Sequence, residues 1–502
     1  MIYALPMFFR DKNPGFKTGR DGLFQTLNHF HLNEPYPCHS ICQMRPWKLW
    51  IAAFLLINVL ANVNGFMNPM SRFASIAAMV EHRTFRIDPY VKANWTDDWA
   101  RVTSPDGSQA YYSNKAPAPA LVGVGLAVLL DTFLLSGAVT PEQRDEMRFK
   151  KRYVYLLVLS LLFQVIPFAL CALLATKALA AAGLGASAIA FALLAMLFGN
   201  TSSMFMNTYF GHGFTAACML AMVLALLRGR PALFGFFYGL ALLSDYGFGV
   251  VAPAAALAVV VALGWRKLFR FALGGIVPGL LWVWYHQTCF GGPLEIANKF
   301  QNPVYRDVTS QSGNLWGIFF PWPRLSTAYE LFLGSSRGFL WTQPWLLFVL
   351  AIIVFWIFRR RSQLSRAWLG IAALALLGFT GLVWVNCSFG AWHGGGAPGP
   401  RYISPILPLF GLLGGFVFER AAQKIRVILW LLLGVAMLLF VAAISSFIVI
   451  PPGPLWGVIF GHLVHHHSNT PLVRFAVFTF IISTTGVYCA KTVKLKLGSR
   501  QI

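Results

Sequence analysis

Three carboxylates, Asp88, Asp97 and Asp98, share one stretch of the sequence with Arg72 and Lys115. Between residues 64 and 116 that stretch holds six basic and five acidic side chains. A carboxylate beside cations suits group transfer, in which it deprotonates an acceptor hydroxyl while a departing phosphate is neutralised nearby. Asp97 and Asp98 are neighbours, so they are not expected to face one atom; one is read as the base and the other as a scaffold or metal ligand. Lys115 has no acid beside it in sequence and is followed by Pro-x-Pro, which stiffens the chain where it meets an apolar run. A second stretch runs from Cys387 to Tyr402 and carries His393, a Gly-Gly-Gly run and Arg401. Its glycines let backbone approach a ligand closely, and its prolines fix the path. Asp245, in Leu-Ser-Asp-Tyr-Gly, and His212, in Tyr-Phe-Gly-His-Gly, complete the candidates. Each has a plainer reading as well: a solvated loop for the carboxylates, snorkelling for Lys115, a salt bridge for Arg401 and a satisfied polar residue for His212.

The chain that must position these residues has 502 residues, 57% apolar and only 11% charged, with mean hydropathy +0.62. Soluble domains carry about a quarter charged residues, so this composition cannot build a water-facing shell. It implies an all-α polytopic membrane protein. The net charge of +23 would suggest nucleic acid in a soluble protein. Here the cations gather in short connectors between apolar runs, beginning with Arg148, Lys150, Lys151 and Arg152, then Arg228 and Arg230, then Arg266, Lys267 and Arg270. Further groups are Arg359, Arg360, Arg361 and Arg366; Arg420, Lys424 and Arg426; and Lys491, Lys494, Lys496 and Arg500. That is the positive-inside pattern. Seven cysteines make no disulfide framework, although Cys289 and Cys387 both fall in loops read as outer. Cys38 and Cys42 form a weak C-x3-C, and of the histidines at 462, 465, 466 and 467 only His462 and His466 have helical metal-ligand spacing.

The expected fold is about 12–13 transmembrane helices with a long first outer loop carrying interfacial helices. Full spans are read near 47–63, 117–137, 153–178, 204–227, 231–247, 249–264, 271–286, 340–358, 367–386, 402–418, 427–450 and 471–490. The run 185–200 is read as a re-entrant or half-span segment, because only then do the basic connectors all fall inside. Both termini are then cytoplasmic. The outer face holds loops 64–116, 287–339, 387–401 and 451–470, with the turns at Phe210–Gly213 and Asp245–Gly247. By this reading residues 1–46 are a cytoplasmic segment, 47–420 a catalytic membrane module and 421–502 C-terminal helices with a basic tail. No internal repeat is evident, which weakens an inverted-repeat transporter.

Several motifs in this order carry a family likeness: Tyr-Tyr-Ser-Asn-Lys-Ala-Pro-Ala-Pro at 111–119, Phe-Gly-His at 210–212 and Gly-Leu-Ala-Leu-Leu-Ser-Asp-Tyr at 239–246. Ser-Ser-Arg-Gly-Phe-Leu at 335–340 and Gly-Pro-Arg-Tyr-Ile-Ser-Pro at 399–405 follow. The chain resembles the GT-C superfamily of membrane glycosyltransferases, closest to the protein mannosyltransferase and aminoarabinose transferase type. The resemblance implies transfer of a sugar from a polyprenyl-phosphate carrier to a glycan, lipid or protein acceptor, at the outer face of a plasma or bacterial inner membrane. It makes a carboxylate of the first outer loop the base, and Lys115 and Arg401 contacts to the carrier phosphate. Arg72, Tyr112, His212, Asp245, Arg337, His393 and Tyr402 join them as the substrate-binding set. One departure stands out. Relatives carry an acidic pair before Arg-aromatic-Ala, whereas Asn68-Pro69-Met70-Ser71 precedes Arg72-Phe73-Ala74 here. The base then comes from Asp88, Asp97 or Asp98, or the chain has lost activity or changed its chemistry.

No cofactor is assigned, a divalent cation being the one option kept, and no nucleic-acid partner is implied. No Gly-rich strand-turn-helix fingerprint for a nucleotide sugar appears either. Two other classes fit less well: a transporter or flippase, which would need ionisable residues at mid-span, and a non-catalytic subunit that binds lipid-linked glycans. The leading reading demands that Lys115 and Arg401 meet at one face of the membrane.

Overall fold

In the computed structural model the described residues are 45–61, 67–304, 322–360, 364–446, 453–465 and 470–498. Cys38, Cys42, His466, His467 and Arg361 lie outside them. The chain is an all-α polytopic membrane protein. After α1 (Arg45–Leu60) come α2 (Met67–Glu81), the short α3 (Asp88–Lys92) and a hairpin of β1 (Trp99–Thr103) and β2 (Gln109–Ser113). Then follow α4 (Ala118–Leu134), α5 (Pro141–Lys150), α6 (Arg152–Ala181), α7 (Ala186–Phe205), α8 (Gly211–Leu227), α9 (Pro231–Ser244) and α10 (Tyr246–Leu263). The remaining helices are α11 (Trp265–Gly274), α12 (Ile276–Phe290), α13 (Leu325–Phe332), α14 (Phe339–Thr342), α15 (Pro344–Arg360) and α16 (Arg366–Ser388). Last come α17 (Arg401–Arg420), α18 (Gln423–Ser446), α19 (Leu455–His465) and α20 (Thr470–Gly498).

Among the described residues α6, α7, α10, α16, α17 and α18 are long and apolar enough to cross a membrane, and the bent pair α11–α12 makes a seventh such span. Helices α1, α4, α8, α9, α15 and α20 contain shorter apolar stretches. At the centre α7 packs on α17, with Phe191 stacked on Phe418 at 5.1 Å. Exposed apolar side chains such as Leu280, Leu431 and Phe480 ring the outside. Lipid accepts such a surface; water would not.

Two sequence-based spans need correction. The helix read as a span at 117–137 does not cross. α4 runs beside α2, with Gly123 packed on Ile76. Near its far end Asp131 meets Arg148 of α5 at 2.6 Å, and Arg148 meets Glu81, the last residue of α2, at 2.9 Å. α5 also touches the segment leading back to Asp98: the rings of Phe149 and Trp95 lie 5.1 Å apart, and the Tyr90 hydroxyl donates to Asp145 at 3.1 Å. Segments on opposite faces of a hydrocarbon layer about 30 Å thick could not meet this way. The group Arg148, Lys150, Lys151 and Arg152, expected inside, therefore shares a side with loop 64–116. Its cations are held locally. Arg144 and Arg148 pair with Glu81, and Lys150 with Glu146 at 2.6 Å, while Lys151 donates to the Leu134 carbonyl. They brace the loop and give no topological signal.

Residues 185–200, read as a half-span, belong to a full crossing. The Gly185 amide donates to Glu419 near the end of α17 at 3.0 Å, and Ser202 donates to the Ser404 carbonyl near its start. α7 thus covers the whole of α17, antiparallel to it. The polar run Asn200–Ser203 hid this, because the α-helix breaks after Leu197 and a 3-10 turn capped by the extended Asn200 carries the crossing on to Phe205. One crossing lost and one gained leaves every later helix direction unchanged. The connectors with Arg228 and Arg230, with Arg266 and Lys267, and with Lys424 and Arg426 gather at one end. The hairpin and the starts of α8 and α17 lie at the other.

Cys289 and Cys387, expected in loops, close α12 and α16 instead; both are buried and free, so no bridge joins them. Near the basic end α9 and α11 touch backbone to backbone, since a methyl group on Gly235 or Gly274 would overlap the Phe271 or Ala232 carbonyl. The chain then bends by 47° between α11 and α12.

Candidate functional site

The hairpin does the first positioning. β1 pairs with β2 with Trp99 opposite Ser113, so the residues just outside the pair, Asp98 and Asn114, face each other by continuation of the register. The Asp98 carboxylate accepts from Asn114 Nδ2 at 2.8 Å and from Lys115 Nζ at 2.7 Å. Ser71 of α2 locks this corner, donating to the Asp98 carbonyl at 2.5 Å and lying 2.7 Å from the Ser113 hydroxyl. One residue along α2, Arg72 donates to the Asn68 side chain. The hairpin and α2 together therefore deliver a carboxylate, a lysine and an arginine to one place.

That place is the wall of a cavity of about 1490 Å³ at the hairpin end of the bundle. Arg401 reaches it from the start of α17. Its guanidinium lies over the rings of Phe210 (5.4 Å) and Tyr402 (4.9 Å) and donates to the Tyr402 hydroxyl at 3.0 Å. His212 comes from the first turn of α8 and Asp245 from the end of α9, with Nδ1 and Oδ2 2.7 Å apart. His393 and its neighbours Gly394 and Gly395 close the rim, both glycines in the left-handed region (φ 67° and 68°) that suits residues without a side chain. Arg337 stands behind this rim and donates to the carbonyls of Ala397 (3.1 Å) and Gly395 (2.6 Å). It shapes the loop without lining the cavity.

Charge is distributed unevenly here. Burial works against the Asp98 carboxylate, yet Lys115, Asn114 and Arg401 together hold its carboxyl below the usual range. Burial lowers the Arg72 guanidinium to about 10, with Asp98 and Asp245 opposing, so it stays charged at neutral pH. Three fixed cations, Arg72, Lys115 and Arg401, thus face two carboxylates. The Nε atoms of Arg72 and Arg401 are buried with no hydrogen-bond partner among the described residues. Both side-chain polar atoms of Asn386, at the cavity wall, are in the same condition. Unsatisfied buried donors are costly and rare, and three of them lie on residues that line this one cavity.

Of the expected residues, Arg72, Asp98, Lys115, His212, Asp245, His393, Arg401 and Tyr402 line the cavity. Four do not. Asp97 is exposed, and its carbonyl, not its carboxylate, is engaged, by Asn302 at 2.9 Å. Asp88 is occupied by Arg86 at 3.1 Å and by the Tyr111 amide. Tyr112 packs on Phe290 at 5.7 Å beneath the hairpin, and Arg337 lies behind the rim. Two details of the sequence reading also change. Lys115 has an acid partner after all, Asp98, while Arg401 has no ion pair among the described residues and rests on aromatic rings. The sequence reading missed Asn68, Asn114 and Asn386. Asn386 was signalled by a polar Asn-Cys-Ser ending an otherwise apolar run. Among the described residues no three His, Cys, Asp or Glu side chains gather as a metal site.

No protein-family model matches the sequence, and no curated protein matches it. Among solved structures the chain is similar to ArnT from Cupriavidus metallidurans bound to undecaprenyl phosphate. The match has 15% sequence identity and a TM-score of 0.40, over 89% of this chain and 77% of that one. At that distance function has to be argued from the cavity itself.

Proposed function

We propose that the protein is a membrane glycosyltransferase that takes its sugar from a polyprenyl-phosphate carrier. The observation that supports this is a surplus of buried cations at one end of a cavity whose wall along α9–α12 is largely apolar. A phosphate meets Arg72, Lys115 and Arg401 at the hairpin end. A hydrocarbon tail meets Leu242, Val250, Phe271, Ile276 and Val283 on α9, α10 and the bent α11–α12 pair. Ile276 and Val283 are about half exposed along this wall, which leaves apolar surface for a tail to cover. A free nucleotide sugar would need no such wall. Charge-assisted hydrogen bonds to the phosphate serve twice: they hold the donor, and they neutralise the oxygen that departs with the bond electrons.

The basic connectors at the opposite end favour a cavity on the outer face, with both ends of the chain cytoplasmic. An impermeant thiol reagent applied to intact cells should then label Asp97→Cys and spare Lys424→Cys; the reverse pattern would invert the proposed orientation.

Binding of undecaprenyl phosphate to the purified full chain in lipid nanodiscs, read by native mass spectrometry, tests the site. Arg401→Ala should weaken it about 10–100-fold, the worth of one charge-assisted contact. Absence of binding to the wild-type chain, or binding indifferent to Arg401→Ala, would remove the proposal.

A further inference from the structure

We infer that His212, held by Asp245, is the general base of this cavity and takes the proton of the acceptor hydroxyl. The inference rests on the glycosyl-transfer reading above and adds the group that reading lacks. Among the described residues Asp98 is the sole carboxylate of loop 64–116 that reaches the cavity, and it is poorly suited to the role. Both of its oxygens already accept, from Asn114 and Lys115. Its charge is also stabilised by its cationic neighbours, which makes it a weak proton acceptor. Its geometry suits it to fixing Lys115.

His212 has the complementary properties. Its Nδ1 lies 2.7 Å from Asp245 Oδ2, and Asp245 Oδ1 accepts the Gly247 amide at 3.2 Å, so the carboxylate is itself fixed. A carboxylate at Nδ1 assigns the proton to that nitrogen. The lone pair is then on Nε2, which has no hydrogen-bond partner among the described residues. The ring cannot swing away. Phe210 lies parallel to it at 6.2 Å, Phe205 and Tyr402 meet it edge-on at 5.9 Å, and Ser244 ties α9 to the Gly211 carbonyl at 3.0 Å. The charged and titratable groups facing the imidazole are Asp245 from the end of α9, Arg72 from α2, and Arg401 and Tyr402 from α17. A base is thus set beside the cations proposed to hold the leaving phosphate.

The step balances without a further reactant. The acceptor oxygen forms a bond to the anomeric carbon as its proton passes to His212 Nε2. The bond from that carbon to the phosphate oxygen breaks, and its electron pair stays on the phosphate facing Arg401 and Lys115. The imidazolium, stabilised by Asp245, then returns the proton to water. Asp245 acts as a positioning residue, because it orients the ring and acts on the reaction through it.

The test uses the full chain in nanodiscs with undecaprenyl phosphates charged with a panel of hexoses and pentoses, and a membrane extract as the source of acceptor. Release of undecaprenyl phosphate is followed against pH. His212→Gln should cut turnover by about 100-fold or more while undecaprenyl phosphate binding stays within about twofold, which also reports that the variant folds. Imidazole in the buffer should restore part of the turnover of His212→Ala. Asp245→Asn should move the acid limb of the profile to lower pH, since removing a carboxylate destabilises the imidazolium. A loss smaller than tenfold in His212→Gln, or loss of binding together with turnover, overturns the assignment of the base and leaves the carrier reading standing. A wild-type chain that binds the carrier phosphate but releases none from any charged donor fails the transferase reading itself, and this inference with it.

Discussion

Helix α2 ends in two clusters of buried charge that behave in opposite ways. At its far end Arg148, 3% exposed, meets Glu81 at 2.9 Å, Asp145 at 2.8 Å and Asp131 at 2.6 Å. Arg144 also pairs with Glu81, and the hydroxyls of Tyr90 and Tyr155 donate to Asp145 and Asp131. Every charge there is answered within the protein. At the near end Arg72 and Arg401 keep buried donors unanswered, and cations outnumber carboxylates. Similar residues thus do different work: a closed network braces the fold, whereas an open one leaves positive charge facing the cavity.

The largest effect should come from the closed cluster. Arg148→Leu takes the arginine from Asp131 and Asp145 and leaves Glu81 to Arg144 alone, and removing one partner of a buried network costs about 3–5 kcal/mol. Thermal unfolding in detergent should show a drop of several degrees, or no folded protein at all; an unchanged midpoint would dissolve the contrast. Next is Asp98→Asn, with a cost of about 1.5–3 kcal/mol for the lost charged contact. The Asp98 carboxyl is held below its usual range, so its contribution is complete above the unfolded value of about 3.9 and disappears as pH falls through the lower folded value. The gap in melting temperature between wild type and Asp98→Asn should therefore be flat from about pH 5 to 8 and close only in stronger acid. In the open cluster Arg401→Leu should leave the melting temperature unchanged or raised, because an unmatched buried charge is removed. Binding of undecaprenyl phosphate would still fall. A large drop in stability instead would make Arg401 part of the scaffold. The smallest effects belong to Asp97→Asn and Asp88→Asn, each under about 1 kcal/mol and silent in turnover.

Much of this was legible in the sequence. Composition alone implies an all-α membrane chain, and among the described residues all the basic connectors named above except the group at 148–152 gather at one end of the bundle, as the charge pattern expects. The convergence of Lys115 and Arg401 follows from both lying at the hairpin ends of their helices. Two pairings were legible and unread. The turn at Arg228–Arg230 joins antiparallel helices, so residues equally far on each side of it, such as His212 and Asp245, must meet. The turn at Ser104–Ser108 likewise sets Asp98 against Asn114. What the sequence could not reveal is that α4 lies along α2. Hydropathy measures how apolar a run is, not whether its neighbour is lipid or another helix, and Glu81, which pairs with both Arg144 and Arg148 of α5, lies more than sixty residues away in sequence.

The glycine contact between α9 and α11 has a mechanical consequence. Two rods pinned at their base and touching again above the bend, at Gly239 and Pro278, move together, so a small wedge at the pin displaces the pair. An alanine at 235 or 274 would sit well away from every charged group in the cavity, yet it would change the width of the space they overlook.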